Sequence, residues 1–433
     1  MIKNEPIEPA LSMATMAAER PHVSIVEAKA GKDGDRELPI AYRELIALSA
    51  LVMSMTAMSI DILLPALPHI STEFRVASAS DLPLVVTVCM FGMALGQLIW
   101  GPLADRIGRR PTLLAGLAFF IVASVMALLS DSFEYLLAAR LLQGLGASVG
   151  RIVVTAIVRD LFVGRQMART MSMVMMVFIV VPVLAPAAGQ IVVVVGSWRW
   201  VLVVLLVAGA IAMSWTALRL PETRPIAGTG DRRFSTAEAL HIVVGNRTAV
   251  GYAVAAGLMH AMLVSYLASS QQIFGGAYGL GILFPLAFAG VAAALALASL
   301  LNVHLVQRLG MRRLSHSALI ASIIASSLLA LLAWRFSLPL WVALGGTALC
   351  YFFYGLIVSN FSAIAMQPVG HVAGMAASFI GCGTTLIGAV LGTLAARQFD
   401  GSIFPLFCGY AAMTTCALLA VLFVERGSLF HGE

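Results

Sequence analysis

The sequence predicts an all-α integral membrane protein whose twelve transmembrane helices form two six-helix pseudo-repeats. Three observations lead there: the hydropathy, the placement of the positive charge, and a charged turn that recurs about two hundred residues later. The chain is 60% hydrophobic and only 11% charged, where soluble domains carry about 25% charged residues. Its mean hydropathy is +0.95.

A helix needs about 20 apolar residues to cross the hydrocarbon core. Such stretches run over 45–67, 82–102, 111–130, 134–158, 168–195, 200–220, 248–270, 279–303, 314–333, 338–360, 372–396 and 402–424. The boundary between the third and fourth and the eighth stretch are the weakest, where Gly and Pro dilute the pattern. The chain thus divides into an N-terminal tail (1–42), a first bundle (43–220), a linker (221–247), a second bundle (248–425) and a short C-terminal tail (426–433). Residues 1–40 are polar and mixed in charge, without the apolar core of a signal peptide, and read as a disordered cytoplasmic extension.

The net charge of +6 would suit a nucleic-acid binder, but its distribution argues against one. Of the 27 Lys and Arg, Arg75, Arg199, Arg335 and Arg397 fall on one side, Arg140 and Arg151 fall inside spans, and the rest lie on the other side. By the positive-inside rule the crowded side, with both termini, is cytoplasmic. Cys89, Cys350, Cys382, Cys408 and Cys416 all lie within spans and form no Cys-x-x-Cys pair, so neither a disulfide nor a metal site is expected. No phosphate-binding loop with a Gly-Lys-Ser/Thr ending occurs, so no cofactor is expected, and transport, were that the function, would draw on an ion or solute gradient.

The charged turn is Gly101-Pro-Leu-Ala-Asp105-Arg106-Ile-Gly108-Arg109-Arg110, squeezed between the second and third spans. Its weaker copy is Asn302–Arg313; aligning Gly108 on Gly310 places Arg106 on Arg308 and Asp105 on Gln307. Two such halves, related by an axis along the membrane normal, place a substrate site at their interface near the midplane. Gly144, Gly146 and Gly150 superficially match a dinucleotide fingerprint but follow no strand. Gly146/Gly150 and Gly388/Gly392 read instead as small-residue packing faces.

Asp61 is the one carboxylate deep inside a span. An ionised Asp there costs roughly 2.5–3.5 kcal/mol on insertion scales, so such acids are paired or functional. Burial and a nearby cation act on a carboxyl in opposite senses and together can poise it for reversible protonation. The competing reading is a structural ion pair. Arg140 on the fourth span lies at a compatible depth. Arg140, Gln143, Gly144, Ala147 and Arg151 recur at spacings of three and four and form one polar face directed into the bundle. An Arg lining the cavity would release the Asp proton or bind an anionic group; for Arg151 a packing or lipid-interface role competes. Ser54 and Met58 precede Asp61 on the first span. In the second half Tyr252, Met259, Met262 and Tyr266 form a helical stripe beside His260, and soft Met and flat aromatics suit an accommodating cavity.

The turn from Gly101 to Arg110 resembles the signature loop of the major facilitator superfamily. The first span's Asp61-x-x-x-Pro-Ala-Leu-Pro68, the fourth's Arg140-Leu-Leu-Gln-Gly-Leu-Gly146 with Arg159-Asp160-Leu-Phe, and Gly370-His-Val-Ala-Gly374 with Ala377-Ser378 resemble the bicyclomycin/chloramphenicol-resistance group of drug/proton antiporters, over residues 42–425. Pro182, Pro186 and Gly189 resemble that group's antiporter motif, although its leading glycines are Val and Ala here. The resemblance implies a monomer in the bacterial inner membrane that exchanges drug-like amphipathic molecules for protons by alternating access. Asp61 and Arg140 would handle the proton. Gly101, Asp105, Arg106, Gly108, Arg109, Arg159 and Asp160 would form the cytoplasmic gate. Ser54, Met58, Gln143, Arg151, Tyr252, Met259, His260 and Tyr266 are the candidates for the substrate cavity. An exporter of an endogenous metabolite or amino acid, or a membrane sensor, are the alternatives; no constellation of catalytic side chains supports an enzyme.

Overall fold

The computed structural model describes residues 40–76, 78–224 and 236–430, all helix and connecting turns among those residues. Twelve of its helices are long and apolar enough to cross a membrane. The first crossing is α1 (Tyr42–Asp61), a tight turn Leu64–Ala66, and α2 (Leu67–Glu73). Then follow α3 (Leu84–Ile107), α4 (Arg109–Leu128), α5 (Phe133–Leu161), α6 (Gly164–Val195) and α7 (Arg199–Arg219), completing the first half. The second half holds α9 (Arg247–Ser270), α10 (Phe284–Leu309), α11 (Met311–Arg335), α12 (Leu340–Met366), α13 (Ala373–Ala396) and α14 (Phe404–Val424). Part of the expected spacer is itself helical: α8 (Thr236–Gly245) lies in it and packs on α13. Residues 1–39 and 225–235, read from sequence as tail and linker, lie outside the described residues.

The first crossing is broken where sequence hydropathy alone reads one continuous span. Pro65 has no N–H to donate to the Asp61 carbonyl and Pro68 none for Leu64, so α1 cannot continue regularly past Asp61. Irregular backbone at membrane depth survives only when buried in protein. Here Ile62, Leu63, Leu64, Ala66 and Leu67 are at most 1% exposed. Gly189 on α6 packs on this break; a Cβ there would collide with the Ile62 carbonyl oxygen. Gly189→Val is expected to cost roughly 1–3 kcal/mol, the usual price of overpacking, read as a lower unfolding midpoint in detergent. An unchanged midpoint would mean that α6 does not brace the break.

Both copies of the repeated turn pivot on one glycine. Gly108 (φ +108°) joins α3 directly to α4, and Gly310 (φ +78°) joins α10 to α11. A side chain in this region of φ is strained, which is why the two turns share a glycine although the second lost its acid. Close helix contact does the rest: a Cβ on Gly144 would meet the Cys89 carbonyl of α3, and one on Gly92 the Leu141 carbonyl of α5. Gly146 and Gly150 pack on backbone atoms of α4 and α1, and Gly388 and Gly392 on α9, as expected of small-residue faces. Leu218, Leu286, Trp341 and Phe423 project outward, the apolar exterior that a bilayer covers.

Candidate functional site

Asp61 closes the last turn of α1 at the break and is 3% exposed. Ser54, Met58 and Asp61 fall at i, i+4 and i+7, one stripe on one face of α1. That stripe looks across to the second half: Asp61 is within electrostatic range of Tyr266 on α9. Tyr266 in turn stacks on Phe288 at 5.4 Å and meets Tyr351 at 5.0 Å between ring centroids. Ser54 Oγ on α1, Tyr266 Oη on α9 and Gln271 Oε1 just past it are buried without a hydrogen-bond partner among the described residues. Buried polar groups are normally satisfied by protein, water or ligand, so the Tyr266 hydroxyl, in electrostatic range of Asp61, is free to meet one. Gln271 opens a wide π-helical turn, Gln271–Ala277, at the end of α9; such turns concentrate at functional sites.

Arg140 does not make the ion pair with Asp61 that their matching depths suggest. Its guanidinium is fully buried and bonds to the Ser59 carbonyl at 2.6 Å, to the Val85 carbonyl at 3.1 Å and to Gln143 Oε1. The break explains the first bond. In a regular helix the Leu63 N–H would take the Ser59 carbonyl, but it turns instead to Ile60 at 3.3 Å. Arg140 caps the orphaned carbonyl at a helix C-terminus, where a cation is favoured. It therefore holds the backbone two residues from Asp61 rather than the carboxylate itself. Gln143 passes the network on to Ser124 Oγ of α4 at 2.7 Å.

The two halves meet along α3 and α13. Gln97 Nε2 donates to Thr385 Oγ1 at 3.0 Å, and Gly101 accommodates Ser378. At the end away from Gly108 and Gly310, Arg397 pairs with Asp81 at 2.7 Å. At the other end the interface admits solvent: Arg151, Thr155 and Arg159, at i, i+4 and i+8 on α5, are all exposed. Arg151 is within electrostatic range of His260 on α9 and Tyr354 on α12, and the Arg159 guanidinium lies beside Gly374 of α13. An exposed helix stripe that faces the opposite half lines a cleft open toward the Gly108 end.

The charged turn is braced inside the first half. Arg109, 6% exposed at its side chain, binds Asp160 of α5 at 2.7 Å and Asp105 of α3 at 2.6 Å. Glu222, just past α7, accepts the N–H groups of Arg109 at 2.9 Å and Arg110 at 3.3 Å, capping the start of α4. Burial alone would raise the Glu222 carboxyl, but the backbone N–H groups of Arg109, Arg224, Arg110 and Thr223 outweigh it and hold the group below the ordinary carboxylate range. A lowered carboxyl stabilises above its unfolded pKa and loses that contribution as pH falls through the lowered value. The turn is therefore expected to resist protease from about pH 7 down to about pH 4 and to loosen below that, near the ordinary carboxylate pKa and under it. Glu222→Gln should be loose throughout; a profile identical to the unmodified protein would reject the cap.

Several residues expected in the cavity or gate stand elsewhere. Gln143 is committed to Arg140 and Ser124. Tyr252 is locked at the base of the second half, donating to Glu425 at 2.7 Å and contacting His316 Nε2 at 3.0 Å; Met259 is fully buried in that bundle. Arg106 and Arg159 take no part in the Arg109 pairings: Arg106 is exposed and offers only its carbonyl, to Arg224, while Arg159 turns to the cleft. One residue is 100° of helix, enough to send Asp160 to Arg109 and Arg159 away from it. Pro182 and Pro186 both lie inside the continuous helix α6. Missed were Ser59, Gln97–Thr385, Asp81–Arg397 and Glu222. The last had a readable signal, because Glu425 follows α14 as Glu222 follows α7 and binds Arg312 of its own repeated turn at 3.0 Å.

A family model described as Major Facilitator Superfamily matches residues 49–393. The uncharacterized MFS-type transporter YdgK of Bacillus subtilis is 30% identical over 81% of this chain and 89% of its own length. The bicyclomycin resistance protein homolog of Haemophilus influenzae is 27% identical over 86% and 93%. The multidrug resistance protein MdtL of Shigella dysenteriae is 35% identical, over 46% of this chain and 50% of that one. Among solved structures, the partially occluded inward-open xylose transporter XylE of E. coli superposes with a TM-score of 0.71 at 12% identity, over 90% of this chain and 99% of that chain.

Proposed function

The chain belongs to the Major Facilitator Superfamily and is a membrane transporter rather than an enzyme, and we propose that it exports small amphipathic, drug-like molecules in exchange for protons. The resistance proteins among its relatives support export of drugs. The observation that carries the coupling is Asp61: a carboxylate at membrane depth, with no ion-pair partner among the described residues, at a helix break on the interface between the halves. As an anion it is costly there, and a proton or a polar substrate group relieves that cost. Rocking of the halves, with the Asp81–Arg397 tie released at one end and the α5 cleft closed at the other, would expose Asp61 to each side in turn. The protein would act as a monomer in the bacterial inner membrane, with the Gly108 and Gly310 turns and both termini cytoplasmic and the proton gradient as its only energy source.

The test is reconstitution in liposomes with a lumenal pH reporter and an imposed gradient. A phenicol, a fluoroquinolone and a lipophilic cation are added in turn. Substrate-triggered proton movement with any of them supports drug/proton antiport. Silence across all three would reject drug export and point to a metabolite made by the host.

A further inference from the structure

We propose that the cleft on α5 is an anion-selective substrate path and that the transported molecule carries a carboxylate, held at Arg151. This rests on the reading of the chain as a small-molecule exporter and specifies its substrate class. Arg151 and Arg159 stand two turns apart, about 12 Å at 1.5 Å per residue, on one exposed stripe with Thr155 between them. Neither forms an ion pair among the described residues. The acids that could have neutralised them are engaged elsewhere: Asp105 and Asp160 with Arg109, Glu44 with Arg219, Asp81 with Arg397, and Glu425 with Arg312. The groups facing Arg151 from the other half, His260 and Tyr354, offer no fixed negative charge.

An uncompensated guanidinium is expensive at membrane depth unless water or a ligand attends it. Arg140, about 16 Å away along the same helix by the same rise, shows the contrast: it is buried and each of its three guanidinium nitrogens donates to a protein acceptor. Arg151 makes no such bond among the described residues. The planar fork of a guanidinium matches a carboxylate with two parallel hydrogen bonds. Arg159, nearer the mouth, raises the local concentration of anions and guides them inward.

The experiment measures binding to the purified full-length protein by calorimetry, without any gradient, so it is independent of proton coupling. The probes are benzoate, 1-naphthoate and a fluoroquinolone, each beside its methyl ester. At least one acid should bind roughly 10-fold or more tightly than its ester. Arg151→Gln should remove that difference while leaving the ester unchanged, and Arg151→Lys should retain part of it. Arg159→Gln should weaken acid binding several-fold and flatten its salt dependence, leaving the ester unchanged. Equal affinity of acid and ester, an acid preference that survives Arg151→Gln, or no binding by any of the acids would each overturn the assignment. So would loss of the acid signal on adding phosphatidylglycerol, which would give Arg151 to a lipid headgroup. Arg151-dependent binding without substrate-driven proton movement in liposomes would sustain this inference and sink the antiport reading. Proton movement driven only by neutral drugs would do the reverse.

Discussion

Replacing Asp61 with Asn is expected to abolish substrate-driven proton movement while leaving the protein folded. Asn has nearly the same shape and cannot exchange a proton, and Asp61 gives up no ion pair, since none exists among the described residues. The unfolding midpoint should therefore stay level or rise. Proton flux in liposomes should fall by roughly 100-fold or more, the scale on which losing an essential proton-transfer group acts. Substrate counterflow, which needs the cavity and the rocking motion but no net proton transfer, should persist. Flux that survives in Asp61→Asn removes this residue from the coupling mechanism. Loss of counterflow together with flux would instead make Asp61 part of the transport motion.

The second large effect is on stability. Arg109→Ala is expected to cost about 3–5 kcal/mol, the penalty for leaving one member of a buried ion pair without its partner. The stranded group is Asp160, 7% exposed; Asp105 is 52% exposed and water can attend it. Adding Asp160→Asn to Arg109→Ala should therefore recover a large part of the loss, whereas adding Asp105→Asn should recover about 1 kcal/mol at most. Denaturant titration in mixed micelles of the three single and two double mutants reads the coupling directly. If Asp160→Asn gives no recovery, the Arg109–Asp160 contact is not what holds α4 to α5.

Much of the architecture was legible because the bilayer imposes it residue by residue. Length and hydropathy mark each crossing, and the Gly108 and Gly310 turns are local features that need no knowledge of neighbours. Asp61 was legible for the same reason: a charge at depth is conspicuous wherever its partners lie. Partnership itself was not. Depth placed Arg140 level with Asp61, but only the break after Asp61 freed the Ser59 carbonyl that Arg140 took instead. Periodicity placed Arg140, Gln143 and Arg151 on a common face, but not which of them would be consumed by hydrogen bonds inside the first half. The Tyr252–Tyr266 stripe runs from a hydrogen-bonded base to the interface, and only its Tyr266 end comes within electrostatic range of Asp61.

The sequence by itself determined twelve crossings, two repeated halves, the hinge glycines and one buried acid, because each of these follows from local composition in a solvent that tolerates no unsatisfied backbone. The tertiary structure alone decided that Arg109 rather than Arg106 or Arg159 pairs with Asp105 and Asp160, that Glu222 caps the start of α4 from beyond α7, and that Arg151 has no counterion among the described residues. Those outcomes depend on which acceptors another helix brings within about 3 Å. A rotation of one residue along a helix is enough to exchange them.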